Sequence, residues 1–435
     1  SAPATAEFAG NLFGYNQSTL SFRPDDLAVG DLDDDGNLDV FAVGHDQYTG
    51  RDMAALLLGN GDGTLSTHFE MDLNESYGDT FDEVTGVALA DFDDDGLLDA
   101  VIVGDAYGNA YGSGYAAAPL EGKVMLFFND PDNPGQPRSY TTYEIYGNPQ
   151  FVDTGDFDGD GDTDIVTANF NGGRYYSDDF WDNFGSGYGQ TTMRNDGAGG
   201  FASSSGDQDL IHQQTTETSL NGYPTAIGVG DIDEDGVDDL LVGTWAGAVD
   251  VLGGGYNSPT GMTAAHAWSP AENEKVYGLA LGDFDADGHL DVATVHGEPH
   301  GVSVLWGSGS ISGPSAASSF TPGFSGEYAV AAGDFSGDGI DDLVIGGYIG
   351  SGDESGDQWG VGLLQSTGEG YGTPFTDLGV WGSGYGTYSV DLADMNGDGV
   401  LDVVTGDEGG GSGLAPGVSV LLAETTAGDG GGVAT

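Results

Sequence analysis

The sequence predicts an all-β ring of seven four-stranded antiparallel sheets, a seven-bladed β-propeller, on three observations. A nine-residue acidic pattern, D-x-[DSN]-x-D-G-x-x-D, occurs seven times in 435 residues. Each copy lies between short alternating apolar runs, the pattern of strand, tight loop, strand. The copies start 51 to 75 residues apart, and 72 residues separate the last from the first through the termini. A closed ring of seven units fits that spacing, and such a period marks a repeat architecture.

The elements of one unit follow in order. The first strand ends in a small residue just before the loop, as in LAVG, VALA, IGVG, LALG and VAAG. The second follows directly (LDVFAVG, LDAVIVG, DDLLVG), and the third comes after a Gly-rich turn (AALLLGN, KVMLFFN, GVSVLWG). A more polar fourth segment, such as STHFEMDL or SYTTYEIY, completes the unit. Four short antiparallel strands make one propeller blade, and no helical periodicity competes. Three residues before each loop stand Ala28, Ala88, Asp153, Gly228, Ala280, Ala331 and Asp391. Small residues suit strands that converge on an axis, and the two acids suit a wet channel. The next residue is usually apolar (Val29, Leu89, Val229, Leu281, Leu392) and is expected to pack between blades.

The seventh unit lacks a fourth strand. The N-terminal segment within residues 1–20, with ATAEFAGNLF as its apolar part, is expected to supply that strand and close the ring. Donation of the strand to a neighbouring subunit is the rival, and would build a filament. The chain is thus read as one domain over 1–435, with 426–435 as a flexible tail.

Composition narrows the function. There are 72 acids against 7 Lys plus Arg, a net charge of −65. Binding nucleic acid through phosphates or docking on anionic lipid needs the opposite sign. The 38% hydrophobic and 11% aromatic content supports a core despite the 80 glycines, so disorder is rejected. With no cysteine, disulfides and thiol chemistry are excluded. No apolar run reaches membrane-spanning length. The start at Ser1, followed by Ala-Pro-Ala-Thr, fits a mature secreted or cell-surface protein whose signal segment has been removed. The triplets at Asn16 and Asn74 match a glycosylation acceptor but carry little weight.

The acidic loops, at 31–39, 91–99, 156–164, 231–239, 283–291, 334–342 and 394–402, have the chemistry of calcium sites. Ca²⁺ takes six to eight oxygen ligands, and alternate acids in a curled loop converge on one ion. Position 1 is Asp31, Asp91, Asp156, Asp231, Asp283, Asp334 or Asp394. Position 3 is Asp33, Asp93, Asp158, Asp233, Asp285, Ser336 or Asn396. Position 5 is Asp35, Asp95, Asp160, Asp235, Asp287, Asp338 or Asp398. Position 9 is Asp39, Asp99, Asp164, Asp239, Asp291, Asp342 or Asp402. The invariant glycine at position 6 permits the turn, and position 7 offers only its carbonyl. Position 2, always Leu, Phe, Ile or Met, is expected to anchor the loop inward. Up to seven Ca²⁺ are predicted, weaker in the sixth and seventh loops, where Ser336 and Asn396 bring less charge. Acidic turns without metal are the bland alternative, but four carboxyls in nine residues repel one another. An EF-hand is rejected, because no Glu stands at position 12 and strands flank the loop.

These loops and their spacing resemble FG-GAP/VCBS-type repeats, as in the propeller of integrin α-subunits and many secreted bacterial and archaeal proteins. The resemblance covers nearly the whole chain, although the literal Phe-Gly/Gly-Ala-Pro signature is poorly kept. It implies Ca²⁺ in the loops between the first and second strands, and ligand binding on the opposite face.

That opposite face is expected to carry the longest insertions. They hold Tyr107, Tyr111 and Tyr115 in blade 2, and Tyr175, Tyr176, Phe180, Trp181 and Tyr188 in blade 3. Trp381 and Tyr385 are assigned to a loop before the last blade. Such aromatics either bind a protein or carbohydrate ligand or cap the channel by packing on each other. The first reading is therefore a non-enzymatic adhesion or ligand-binding module. A structural subunit that binds copies of itself is the second, and a polysaccharide-active enzyme the third. His296-x-Glu-x-His300 as a metal pair and Asp153 with Asp391 as a glycosidase pair are the catalytic candidates, and neither is convincing.

Overall fold

The computed structural model describes residues 15–46, 48–77, 81, 83–105, 121–170, 188–195, 197, 199–202, 220, 222–255, 262–269, 275–296, 301–322, 327–349, 358–370, 374–382, 386–409 and 415–423. Their strands form seven four-stranded antiparallel sheets. Blade 1 runs Arg23–Gly30, Asp39–His45, Asp52–Gly59 and Leu65–Asp72, from the axis outward. Blade 4 repeats the plan with Pro224–Gly230, Asp239–Thr244, Val249–Gly254 and Met262–Trp268. Among the described residues the one helix is Leu73–Tyr77. No helix of the described residues is long and apolar enough to cross a membrane.

The ring closes within the chain. Tyr15–Thr19 pairs antiparallel with Gly417–Leu421, from Tyr15 opposite Leu421 to Thr19 opposite Gly417. It completes the last blade outside Thr387–Ala393 and Asp402–Asp407. The described part of the closing strand is YNQST, and the expected ATAEFAGNLF lies outside the described residues. A polar segment suits an outer strand with one face in water.

Seven buried apolar clusters fill the ring, one at each seam between neighbouring blades. The seam of blades 2 and 3 holds Phe92, Val101 and Leu126 against Val152, Ile165 and Met193. The closing seam holds Leu27, Val40 and Leu57 of blade 1 against Met395, Val404 and Val420 of blade 7. The core is therefore radial rather than central, and Val29, Leu89, Val229, Leu281 and Leu392 all join seam clusters, as expected.

The seams also explain the small residue before each loop. Position 8 of the next blade's loop occupies the space a side chain there would need. A Cβ on Gly30 would stand 2.5 Å from Leu98 Cδ1, and one on Gly333 would stand 2.8 Å from Leu401 Cδ1. Where position 8 is an acid it hydrogen-bonds across the seam instead. Asp238 Oδ2 accepts the Asp156 N–H at 2.9 Å, and Asp341 Oδ2 accepts the Asp283 N–H at 2.9 Å.

Candidate metal centres

Each acidic loop is folded by its own carboxylates. In all seven, the position-1 Asp accepts the backbone N–H groups of positions 5 and 6, as Asp31 does from Asp35 at 3.1 Å and Gly36 at 2.9 Å. The position-5 Asp accepts the N–H of position 7 in every loop. The chain crosses left-handed space twice. The position-6 glycine does so in each loop, at φ 89° in Gly36. Position 4 does so too, at 56° in Asp34, 55° in Asp94, 59° in Glu234 and 57° in Ala286, with glycine in the other three loops. The sequence reading missed that demand at position 4, because only three of the seven copies show it by composition.

The position-9 Asp ties each loop to its blade. One oxygen accepts a backbone N–H from the end of the third strand at 2.7–2.8 Å in all seven blades, from Gly59 to Asp39 through Ala423 to Asp402. The other accepts the N–H of position 2, or of position 3 in the sixth loop. The position-2 anchors are buried as expected, from Phe92 and Phe157 to Met395. Five of these carbonyls accept from the following blade, among them Leu32 O from Asn129 Nδ2 at 2.7 Å, Phe92 O from Asn195 Nδ2 at 2.8 Å, and Met395 O from the Gly63 N–H at 3.2 Å, while loops 4 and 6 bond the preceding blade through Asp238 and Asp341. Each loop is therefore a joint between two blades.

In the first five loops, positions 1, 3 and 9 bring one carboxylate oxygen each within 4.8 Å of one another. These sets are Asp31, Asp33, Asp39; Asp91, Asp93, Asp99; Asp156, Asp158, Asp164; Asp231, Asp233, Asp239; and Asp283, Asp285, Asp291. Position 5 is not part of these sets, yet its acid is the one that most repels the position-3 carboxyl in loops 1, 4 and 5. In the sixth and seventh loops Ser336 and Asn396 replace the third acid, and the same backbone hydrogen bonds persist. In the first four loops, Oδ1 of Asp33, Asp93, Asp158 and Asp233 is buried without a hydrogen-bond partner.

Electrostatics in these loops are unfavourable to free carboxylates. Burial pushes the position-9 carboxyls up, to about 6 for Asp39 and Asp239 and about 7 for Asp99, Asp164, Asp291, Asp342 and Asp402. Asp33, Asp233 and Asp285 are also raised, by burial first and then by the neighbouring acids. A divalent cation bound by these oxygens would relieve both effects.

The other candidates separate differently. Tyr107, Tyr111, Tyr115, Tyr175, Tyr176, Phe180, Trp181 and Tyr385 lie outside the described residues. Tyr188 begins a blade 3 strand, Tyr188–Asn195. Trp381 is not a loop residue. It belongs to the outer strand Phe375–Gly382, opposite Val361, and is half-buried against the seam cluster of Phe335 and Val344. Alternation along a strand turns it inward, and a Trp-Gly pair before a Gly-rich run conceals that. His296 is buried in a strand, with Nε2 2.9 Å from Thr294 Oγ1 and 3.1 Å from Ser303 Oγ, while His300 lies outside the described residues. The Asn74 amide bonds Asp52 and the Phe81 backbone.

Asp153 and Asp391 stand on the inner strands of blades 3 and 7, and burial raises both carboxyls to about 6. The acid coupled to Asp391 is Asp26 of blade 1, raised to about 7 by burial, with Asp391 adding repulsion. On the face opposite the loops, Trp245 at the short blade 4 turn is 49% exposed. Its ring lies under Lys275 Nζ at 3.4 Å and meets Tyr277 edge-on at 6.2 Å. Neither Asp26 nor Trp245 belongs to a motif, so spacing alone does not single them out.

Comparison with known proteins supports the architecture. Residues 283–345 match the FG-GAP-like repeat, from the fifth acidic loop to just past the sixth. No curated protein sequence matches the chain. The solved structure of BBS1N in complex with ARL6DN, soaked with mercury, superposes with a TM-score of 0.51 at 11% identity, over 94% of this chain and 95% of that one. The lead-soaked form gives 0.51 and 11% over 93% and 94%. The chain is therefore a seven-bladed β-propeller that carries a match to the FG-GAP-like repeat at residues 283–345.

Proposed function

We propose that this protein is an extracellular, non-catalytic binding module whose propeller is stiffened by Ca²⁺ in the acidic loops. The observation that carries the calcium reading is the set of four buried, unpartnered oxygens, Asp33, Asp93, Asp158 and Asp233 Oδ1. Each comes from a residue of a carboxylate triad whose oxygens lie within 4.8 Å of one another. Leaving such an oxygen unsatisfied costs about 1–3 kcal/mol, more when it is charged, and a hard cation satisfies it. Ca²⁺ suits an all-oxygen set, with the position-7 carbonyl and water as further ligands. The ion's contribution is cohesion: it neutralises the joint between one blade and the next. Secretion follows from the same reading, because weak oxygen sites fill where calcium is millimolar. The test is thermal unfolding in EDTA and in millimolar Ca²⁺. An unchanged melting temperature sinks the calcium reading.

The ligand is assigned to the face opposite the loops, and a protein is the favoured class. The BBS1N propeller, of similar fold, was solved in complex with ARL6DN, and a rigid ring with variable loops serves such recognition. The net charge of −65 excludes a polyanionic partner. A carbohydrate ligand is the second reading, favoured by half-exposed Trp245, whose position Lys275 and Tyr277 hold. Trp245→Ala on a glycan array and in a pull-down from extracellular extract separates the two. Glycan binding lost in the variant supports the carbohydrate, and a retained protein partner supports the first.

A further inference from the structure

Of the six Lys and Arg residues among the described residues, two stand on acidic loops. Arg138, on the outer strand of blade 2 (Pro137–Tyr146), spans loop 2. Its guanidinium pairs with Asp93 Oδ2 at very short range and with Asp95 Oδ2 at 3.2 Å, while its plane lies 5.9 Å from the Phe128 ring. Arg194, on the third strand of blade 3, pairs with Asp158 Oδ2 at 2.7 Å in loop 3. In both loops the arginine takes one oxygen of the position-3 carboxylate. The other oxygen, Oδ1 of Asp93 or Asp158, stays buried without a partner. One oxygen of each position-3 carboxylate is therefore left free of the guanidinium. Among the described residues no Lys or Arg pairs with Asp33, Asp233 or Asp285, the position-3 acids of loops 1, 4 and 5.

An arginine is charged at any accessible pH, so its effect on a neighbouring ion is fixed. It holds the position-3 carboxylate against repulsion when no metal is bound, and it repels a divalent ion when one arrives. We propose that Arg138 and Arg194 are resident counter-cations that keep loops 2 and 3 closed without calcium and weaken calcium binding there relative to loops 1, 4 and 5. The seven loops then fall into three classes: three with full charge, two arginine-shielded, and two with a neutral residue at position 3. Blades 2 and 3 keep their joints at low calcium, while the rest of the ring tightens as calcium rises. This inference rests on the calcium reading of the loops and adds an order of filling to it.

Hydrogen exchange on the full chain tests it, with peptides covering 91–99 and 156–164 against those covering 31–39, 231–239 and 283–291, in EDTA and across a Ca²⁺ titration. In the parent, loops 2 and 3 should be the better protected in EDTA and should respond last to calcium. Arg138→Met, which keeps the stem over Phe128, should expose residues 91–99 in EDTA and shift the calcium midpoint of that loop to roughly tenfold lower concentration, the size expected for one charge several ångströms from a divalent ion. Arg194→Met should do the same at 156–164 alone. Arg138→Lys keeps the charge and loses the fork, so it should retain part of the protection. Exchange in Arg138→Met identical to the parent, or equal losses in Arg138→Met and Arg138→Lys, overturns the proposal. If calcium alters exchange at no loop of the parent, the calcium reading itself fails, which is a different result.

Discussion

Asp26 Oδ2, on the inner strand of blade 1, accepts the backbone N–H of Val87 on the inner strand of blade 2 at 3.0 Å. The Val87 N–H lies on the axial edge of its blade, where no further strand can pair with it. The same carboxylate faces repulsion from Asp391 of blade 7 and is pushed up to about 7 by burial. One acid thus joins blades 1 and 2 at the axis while facing the carboxylate of blade 7.

A pH dependence follows from that position. A folded pKa above the unfolded 3.8 means the native state holds the proton more tightly. This contribution is fully present below about pH 4 and is lost as pH rises through 7. Asp26→Asn, neutral at every pH and still an acceptor for Val87, should match the parent near pH 4 and exceed it at pH 8. The expected gain is on the order of 2 kcal/mol, discounted from the full shift because the carboxylate is half-buried. Chemical unfolding at the two pH values checks it, and an equal difference at both removes the explanation.

Calcium and protons compete for the position-9 carboxyls, whose folded pKa values of about 6 to 7 lie above the ordinary value. Without metal, stability should therefore fall as pH rises from 5 to 8. Calcium binds the ionised form, so its stabilisation should grow over the same window. Calorimetric melting in EDTA and in Ca²⁺ at pH 5, 6.5 and 8 should show a widening gap. A gap independent of pH would contradict the assignment of these carboxyls as ligands.

Ala286 adopts φ 57° at position 4 of the fifth loop, where three other loops carry glycine. An L-residue there costs about 1–2 kcal/mol, partly offset because glycine loses more entropy on folding. Ala286→Gly should stabilise the chain by roughly 0.5–1 kcal/mol. Gly288→Ala, at φ 90° two residues on, should destabilise it by more than about 1 kcal/mol although no atom crowds the new Cβ. Denaturant midpoints for both variants decide the point.

Removing residues 1–19 deletes the strand that pairs with Gly417–Leu421 and leaves that edge open. The truncated chain should melt lower and self-associate with rising concentration through the free edge. Light scattering checks this. A truncated chain that stays monomeric and equally stable would show that the closing strand contributes little.

Much of the candidate site was legible because its hydrogen bonds are short in sequence. Asp31 reaches Gly36 five residues on, and Asp35 reaches Asn37 two residues on, so the nonapeptide encodes its own curl. Position 9 was legible as a candidate ligand, but not as the clamp that takes the Gly59 N–H twenty residues away. Trp381 was misplaced because a strand end and a Gly-rich loop share a composition, and only its pairing with Val361 separates them.

The sequence by itself determined the number of blades, the acidic loops between their first two strands and closure by the N-terminal segment, since each rests on a repeating local pattern or on a strand missing from the count. Tertiary structure alone decided which residues meet across the seams. Arg138 reaches Asp93 over 45 positions, Asp26 reaches Val87 over 61, and Asp238 reaches Asp156 over 82. Such partners are chosen by how neighbouring blades pack. A repeat period encodes the blade, whereas the register between blades emerges only when seven of them close into a ring.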